Sequence, residues 1–280
     1  MDRLRIMVLC GRSPRHLYVA NALCEAAEVL AIVQESGGEW NVRKVLRALR
    51  PDNLFRKVWR WLRDRRRYYG NPEARFFFGT DTPRLKHPEL VREVPHINHP
   101  DAVRLANELR PDMIAVFGTS LIRGDLLTKA PLGMVNLHGG LSPEYRGADC
   151  TFWALYNGEP EKIGCTLHYI NAGIDTGRLI AHICPEVYPD DNELTLFWRG
   201  IRHSARVYAE LMQRMSNGEM PGMPQQEQGH LYRVRERGLR HEKRVRSLLE
   251  DGLLTDLNLG LRVKWFATDE GGASHGSAAD

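Results

Sequence analysis

Two short apolar runs flanking one amphipathic segment constrain this chain most. Leu4 to Cys10 reads LRIMVLC and breaks at Gly11, and Val29 to Val33 is apolar again. Between them, Leu17, Val19, Ala20, Leu23 and Ala27 recur at helical spacing over Pro14 to Ala27. Strand, helix, strand at this spacing implies parallel strands joined by a right-handed crossover. With 280 residues and 42% hydrophobic content, the chain can bury one substantial core, or one core with an appendage. The expected class is α/β, with a mostly parallel twisted sheet flanked by helices. The loop after the first run, Cys10-Gly-Arg-Ser-Pro-Arg-His, is neither a G-x-G-x-x-G fingerprint nor a P-loop. Its Arg12 and Arg15, with the helix N-terminus that follows, could hold the phosphate of an acidic substrate. Solvated loop charge is the commoner explanation for such a pair.

The chemistry concentrates between Met134 and Gly177. Asn136 and His138 lie two residues apart after the short apolar run Gly133 to Val135, and Asp175 sits in a loop bounded by Gly173 and Gly177. Alternation along an extended segment sends the Asn136 and His138 side chains to one side. An amide donor and an imidazole converging on one carbonyl suit acyl transfer to an amine. The amide would stabilise the developing oxyanion, and the imidazole would take the proton that the attacking nitrogen loses. Asp175, with its loop folded back, would orient His138 and favour its cationic form. An isolated Asn-x-His is common by chance, and Asp-Thr-Gly is mostly a turn. The ordered set carries the weight: Asn-x-His, Leu-Ser-Pro-Glu-Tyr-Arg-Gly, Gly-Cys-Thr-Leu-His, then Gly-Ile-Asp-Thr-Gly.

That set resembles the folate-dependent formyltransferases, which include methionyl-tRNA, glycinamide ribonucleotide and sugar N-formyltransferases. The family pattern, roughly N-x-H-x-S-L-L-P-x-x-R-G, then G-x-T-x-H, then D-x-G, is matched at Asn136, His138, Pro143, Arg146, Gly147, Gly164, Thr166, His168, Asp175 and Gly177. The match covers about residues 90 to 215 well and the N-terminal part in outline. Gly140 stands where the family usually has Ser, and Ser142 where it usually has Leu; both are expected to alter the wall of the acceptor or folate pocket. The resemblance implies a Rossmann-like formyltransferase fold, 10-formyltetrahydrofolate as formyl donor and no metal. It makes Asn136, His138 and Asp175 catalytic, and Gly118, Thr119, Ser120, Leu121, Ile122, Gly173 and Ile174 donor-side residues. Arg12, Arg15, Tyr145 and Arg146 are the acceptor-side candidates.

The remaining chain bears on the acceptor. Residues 41–70 are crowded with Arg and Lys, interleaved with Leu46, Leu49, Trp59, Trp61 and Leu62. Read as helices, they give an apolar stripe and a basic face that would attract a phosphate-rich partner or remain a solvated insertion. A helix over Asp101 to Leu109 capped by Asp101, a strand over Pro111 to Phe117, a helix over Cys150 to Asn157, strands over Ile163 to Ile170 and Leu179 to Val187, and a helix over Asn192 to Met215 are expected in turn. His168 is either second to the catalytic residues or simply a satisfied core histidine. Residues 1–217 would form the catalytic domain, 218–267 a short C-terminal extension and 268–280 a disordered tail. That extension looks short for a tRNA-binding domain, which shifts weight to a phosphorylated or nucleotide-linked small amine, an amino sugar above all. The alternatives are formylation of initiator tRNA and a non-catalytic nucleic-acid-binding protein on the same scaffold. Five scattered cysteines without a C-x-x-C pair, and no long apolar run, fit a soluble cytoplasmic protein, which could be a homodimer. His96 and His99 resemble a metal-ligand pair but read better as loop residues.

Overall fold

The computed structural model describes residues 3–37, 51–227 and 229–267, with the backbone alone for 51–56. The basic residues from 41 to 50 and the tail from 268 therefore lie outside the described residues. Ten strands are described: β1 (Arg5–Cys10), β2 (Glu28–Glu35), β3 (Val91–Val94), β4 (Met113–Phe117), β5 (Met134–His138), β6 (Tyr145–Gly147), β7 (Cys165–Tyr169), β8 (Leu179–Cys184), β9 (His230–Tyr232) and β10 (Arg262–Trp265). Eight of them form one sheet in the order β10-β8-β7-β5-β4-β1-β2-β3. The five strands from β5 to β3 in that order are parallel, and β7, β8 and β10 are antiparallel. This is a Rossmann-like α/β fold.

The helices are α1 (Pro14–Ala26), α2 (Pro51–Arg67), α3 (Pro72–Phe78), α4 (Pro100–Leu109), α5 (Cys150–Asn157), α6 (Glu193–Ser216) and α7 (Leu239–Glu250). Every residue of β1 after Arg5 is buried, as its unbroken apolar run demands. Ile6, Val8 and Cys10 face one cluster with Val19 and Leu23 of α1 and Ile201 and Leu211 of α6. Met7 and Leu9 face the other, with Ala102 and Ala106 of α4. Two local expectations shift. The cap of α4 is His99, whose ring accepts the Asp101 N–H at 3.3 Å. Pro100 takes the first helical position, where its missing N–H is not needed, and so pushes the cap one residue earlier than Asp101. The strand expected to run to Val187, β8, stops at Cys184 because Pro185 has no N–H for the ladder.

Strand order reverses between β1 and β4, where open α/β sheets usually leave a crevice. Here His16 fills it. A Cβ on Gly11 would fall 2.4 Å from its Nδ1, and one on Gly118 only 2.1 Å from its Nε2. The ring packs edge-on to Phe117 at 4.8 Å and accepts the Ser13 N–H at 3.2 Å. Burial, helped by nearby Arg15, lowers its pKa to about 3, so it stays neutral. The opening lies one strand over. The buried Tyr208 hydroxyl of α6 donates to the Val135 carbonyl at 2.7 Å and accepts the Val116 N–H at 3.1 Å, so it completes the ladder where β4 and β5 part.

Candidate active site

Between the diverging ends of β4 and β5 lies a cavity of about 650 Å³. Its floor is Val116 and Phe117, and one wall is the loop Gly118 to Ile122. Ile170, Gly173 and Ile174 form the opposite wall, and Leu231, Tyr232, Arg233 and Val234 close it from the C-terminal segment. All seven donor-side candidates, Gly118, Thr119, Ser120, Leu121, Ile122, Gly173 and Ile174, thus border one space. Leu121 and Ile174 are 42% and 39% exposed there, apolar surface that a bound ring would cover. Glu35 and Asn98, which the sequence reading missed, hold the loop from behind. The Glu35 carboxylate accepts the Ser120 N–H and hydroxyl, both at 3.0 Å, and the Ile97 N–H at 2.8 Å. Asn98 donates to the Leu121 carbonyl at 2.9 Å and accepts the Arg123 N–H at 2.7 Å. His96 accepts a turn N–H from Asn98, and with His99 capping α4 the pair serves the backbone.

The inner end of the cavity is polar. Asn136 and His138 stand on one face of β5, and opposite them in the antiparallel register are His168 and Thr166 of β7. His168 is 2% exposed, and its Nδ1–H donates to the Tyr169 carbonyl at 2.8 Å. In that tautomer its Nε2 accepts from the Asn136 amide nitrogen at 3.2 Å. The Asn136 amide is thereby fixed, with its second N–H left for a ligand. His168 is more than a satisfied core residue: it orients Asn136 and stands 3.5 Å from Asp175 Oδ1.

Asp175 reaches this group because its loop turns tightly. Asn171 Oδ1 accepts from Gly173 N–H at 3.0 Å and from the Thr176 hydroxyl at 2.8 Å, and Asp175 itself is left-handed at φ 52°. Gly177 must be glycine, because a Cβ would lie 1.7 Å from the Tyr169 carbonyl oxygen. Gln225 clamps the loop through the Asp175 and Gly177 carbonyls at 3.0 and 2.7 Å. Asp175 Oδ2 accepts the Gly147 N–H at 2.8 Å and stands 3.5 Å from His138 Nδ1. Burial opposes its ionisation, but the two imidazoles and the Gly147 N–H outweigh that and lower its pKa to about 2.

His138 departs from the sequence expectation. Its pKa lies below the ordinary histidine value, because full burial outweighs the attraction of Asp175. It therefore rests neutral at pH 7, not cationic. Its Nε2–H donates to the Tyr145 carbonyl at 3.0 Å, which leaves the Nδ1 lone pair facing Asp175. A proton arriving at Nδ1 would meet a carboxylate already in place, the arrangement a general base needs.

The four acceptor-side candidates part company. Arg12 pairs with exposed Glu93 at 2.9 Å and borders neither this cavity nor the one beside it. Tyr145 is buried, stacks on Tyr232 at 5.5 Å and directs its hydroxyl to Glu159 and Asn157; only its backbone carbonyl serves the site. Arg146 is buried and donates to the Ile174 carbonyl at 3.4 Å and the Gly229 carbonyl at 2.8 Å, tying the Asp175 loop to the C-terminal segment. Arg15 does border a ligand-sized space. This second cavity, about 350 Å³, has Arg60, Arg63, Arg67 and Tyr68 on one side and Asp149, Thr151, Glu193, Phe197 and Arg237 on the other. It meets the first at His138, Gly139 and Gly147.

The formyl transferase family profile matches residues 31–212, well over half of the chain. The chain belongs to that family. Solved structures of similar fold include a sugar N-formyltransferase from Shewanella sp FDAARGOS_354, at 12% identity and a TM-score of 0.55 over 95% of this chain and 97% of that one. A 4-N formyltransferase from Francisella tularensis aligns at 13% identity and 0.54, over 86% of each chain. A phosphoribosylglycinamide formyltransferase from Anaplasma phagocytophilum aligns at 16% and 0.53, over 83% of this chain and 100% of that one.

The two departures from the family pattern take on physical meaning in this formyltransferase, and neither residue borders either of these two cavities. A Cβ on Gly140 would lie 2.6 Å from both the Tyr145 carbonyl oxygen and Cys150 Cβ, so no serine fits. Ser142 is fully buried. Its N–H donates to Thr166 at 3.0 Å and its carbonyl accepts from His182 at 2.8 Å, while its hydroxyl makes no hydrogen bond among the described residues. Both residues shape the turn that carries the Tyr145 carbonyl to His138. Among the described residues no group of three or more His, Cys, Asp or Glu is arranged to hold a metal ion, and no helix is long and apolar enough to cross a membrane.

Proposed function

We propose that this formyltransferase moves the formyl group of 10-formyltetrahydrofolate to a primary amine of a small molecule, with a nucleotide-linked amino sugar as the leading acceptor. The observation that carries this reading is the meeting of two unlike cavities at His138: a long, mostly apolar slot on one side and a polar, arginine-walled space on the other. The slot suits a flat heterocycle. Its volume falls in the range of sites for drug-sized ligands, and the backbone of Gly118 to Ile122 offers hydrogen-bonding edges beside apolar walls. The polar cavity suits a sugar, whose hydroxyls find Asp64, Asp149 and Thr151, bounded by Phe197 and Tyr68.

The donor supplies a formyl carbon to the amine nitrogen and leaves as tetrahydrofolate with the proton that the amine gives up. The Asn136 amide N–H, held by His168, is placed to stabilise negative charge on the carbonyl oxygen. His138 accepts the proton at Nδ1, its Nε2–H anchored on Tyr145, and Asp175 stabilises the imidazolium so formed. A small acceptor is also favoured by the C-terminal residues, because Leu231 to Val234 and Arg237 are spent on walls of these two cavities. The test is release of tetrahydrofolate from 10-formyltetrahydrofolate against a panel of nucleotide-linked amino sugars and charged initiator tRNA. Acceleration by an amino sugar, lost in His138→Ala, supports the reading; acceleration by tRNA alone overturns the acceptor, and no folate binding overturns the donor.

A further inference from the structure

We infer that Arg60 and Arg67 of α2, together with Arg15, form an anion subsite in the second cavity that receives a phosphate of the acceptor. This deepens the function proposed above and rests on it for the identity of the ligand as acceptor. Five arginines border the cavity, and their N–H groups are not equally committed. Arg237, with its side chain 2% exposed, uses Nε on Glu242 and both terminal nitrogens on Glu193, each at 2.7 Å. It also stands 3.2 Å from Asp149. Arg63 uses all three nitrogens on Asp64 and Glu242. These two are saturated, and their part is to fix the wall.

The other three are not saturated. Arg67 commits only Nη2, to Glu193 at 2.6 Å with Glu242 farther at 3.9 Å. Arg15 commits only Nη1 of its guanidinium, to the buried Glu73 at 2.7 Å. Arg60, half-buried on the same helix one turn from Arg63, has no ion pair or hydrogen bond among the described residues. Each thus keeps N–H donors for a ligand that presents several acceptor oxygens.

The carboxylates are the objection to answer, because Asp64, Asp149 and Glu193 border the same cavity and Glu73 and Glu242 stand behind it. Five acids balance five arginines, so net charge alone does not call for an anion. Position does. Glu193 and Glu242 are spent on Arg237, Arg67 and Arg63, and Glu73 on Arg15, whereas the guanidinium of Arg60 has no ion-pair partner among the described residues. A phosphate bridging Arg60 to the free edges of Arg67 and Arg15 supplies that counter-charge with charge-assisted bonds, and guanidinium forks match phosphate oxygens well. The amine end of the same molecule would then point toward His138 and Asp149, where the two cavities meet.

The test uses the full-length protein and inorganic pyrophosphate as the probe, followed by calorimetry at low salt. Wild type should bind pyrophosphate. Arg60→Ala and Arg67→Ala should each weaken binding about tenfold, and Arg60→Lys should recover only part of it, because a point charge replaces a fork. Tetrahydrofolate binding, measured on the same samples, should not change in any variant; it also shows that the variants fold. Failure of wild type to bind pyrophosphate, or equal binding by Arg60→Ala, overturns the subsite. If pyrophosphate binds as expected while tetrahydrofolate does not bind even to wild type, the proposed function fails and the anion subsite stands. If tRNA displaces pyrophosphate at near-stoichiometric concentration while nucleoside diphosphates do not, the phosphate belongs to a nucleic acid and the small-molecule assignment falls.

Discussion

Asp175→Asn isolates one electrostatic contribution with little change in shape. The amide keeps an oxygen for the Gly147 N–H, which donates to Asp175 Oδ2 at 2.8 Å in the wild type, so the loop held by Gln225 and Asn171 should stay in place. What disappears is the negative charge 3.5 Å from His138 Nδ1. At an effective dielectric of about 20, a full charge pair at that distance is worth roughly 5 kcal/mol, and a half-transferred proton in the transition state feels about half of that. At about 1.4 kcal/mol per factor of ten, turnover should fall by roughly 50- to 100-fold. The assay is steady-state release of tetrahydrofolate with the best acceptor, measured from pH 5 to 8.5. The acid limb of the wild-type profile should lie below the ordinary histidine value, because burial holds the pKa of His138 down. In Asp175→Asn it should lie lower still, because the carboxylate that pulls it up is gone. On a His138→Ala background the same substitution should cost less than about fivefold, since the two residues act as one unit. A loss under fivefold in the wild-type background, or an acid limb that moves up in pH, would refute this account of Asp175.

Three further outcomes follow from the packing. Tyr208→Phe leaves the buried Val116 N–H and Val135 carbonyl without the hydroxyl that joins them; at about 1–3 kcal/mol for such groups, urea unfolding should show a loss near 2 kcal/mol and tetrahydrofolate should bind more weakly as β4 and β5 shift. Arg237→Met strands Glu193 and Asp149 beside one another with only Arg67 left to Glu193, and breaking a buried pair of this kind costs roughly 3–5 kcal/mol, readable as a drop in urea midpoint. Between pH 6.5 and about 3 the unfolded chain binds a proton that buried His16 does not, so stability should fall as pH falls, by about 2 kcal/mol from pH 6.5 to 5. His16→Asn, whose amide oxygen can still accept the Ser13 N–H, should flatten that slope in urea titrations at the two pH values; an unchanged slope would exclude His16 as its source.

The parts of the fold written in local pattern were legible. An unbroken apolar run must be buried on both faces, so LRIMVLC could hardly be anything but an interior strand, and Asn136 and His138 had to share a face of β5. What the sequence hid is what depends on several segments meeting. The protonation state of His138 turns on burial by the turn carrying Tyr145 and on Cys150, 3.6 Å from its Nε2, and no spacing rule reports how dry that point is. Arg12 and Arg15 look alike in sequence; the register of β3 gives one of them Glu93, and α3 gives the other Glu73. Glu35 and Asn98 could have been suspected as polar residues at the ends of apolar segments beside the loop they hold. Strands β9 and β10 carry little signal, because three or four half-exposed residues have too few alternations to stand out.

The C-terminal segment explains why the site could be recognised from its centre while its walls could not. Strand β9 adds in parallel to β6, three residues to three across more than eighty positions of chain, and this places Leu231 to Val234 over the first cavity. Five residues past β9, Arg237 enters the second cavity and gathers Glu193 from α6, Glu242 from α7 and Asp149 at the start of α5. Glu193 and Glu242 in turn reach Arg67 and Arg63 of α2. One short stretch therefore forms a wall for both cavities and, through a single buried guanidinium, fixes the helix that brings arginines to the second cavity. Asn136, His138, His168 and Asp175 need only β5, β7 and one tight loop. The two cavities beside them need pieces from both ends of the chain, which is why the central motif was readable from a few dozen residues and the walls around it had to wait for the packing.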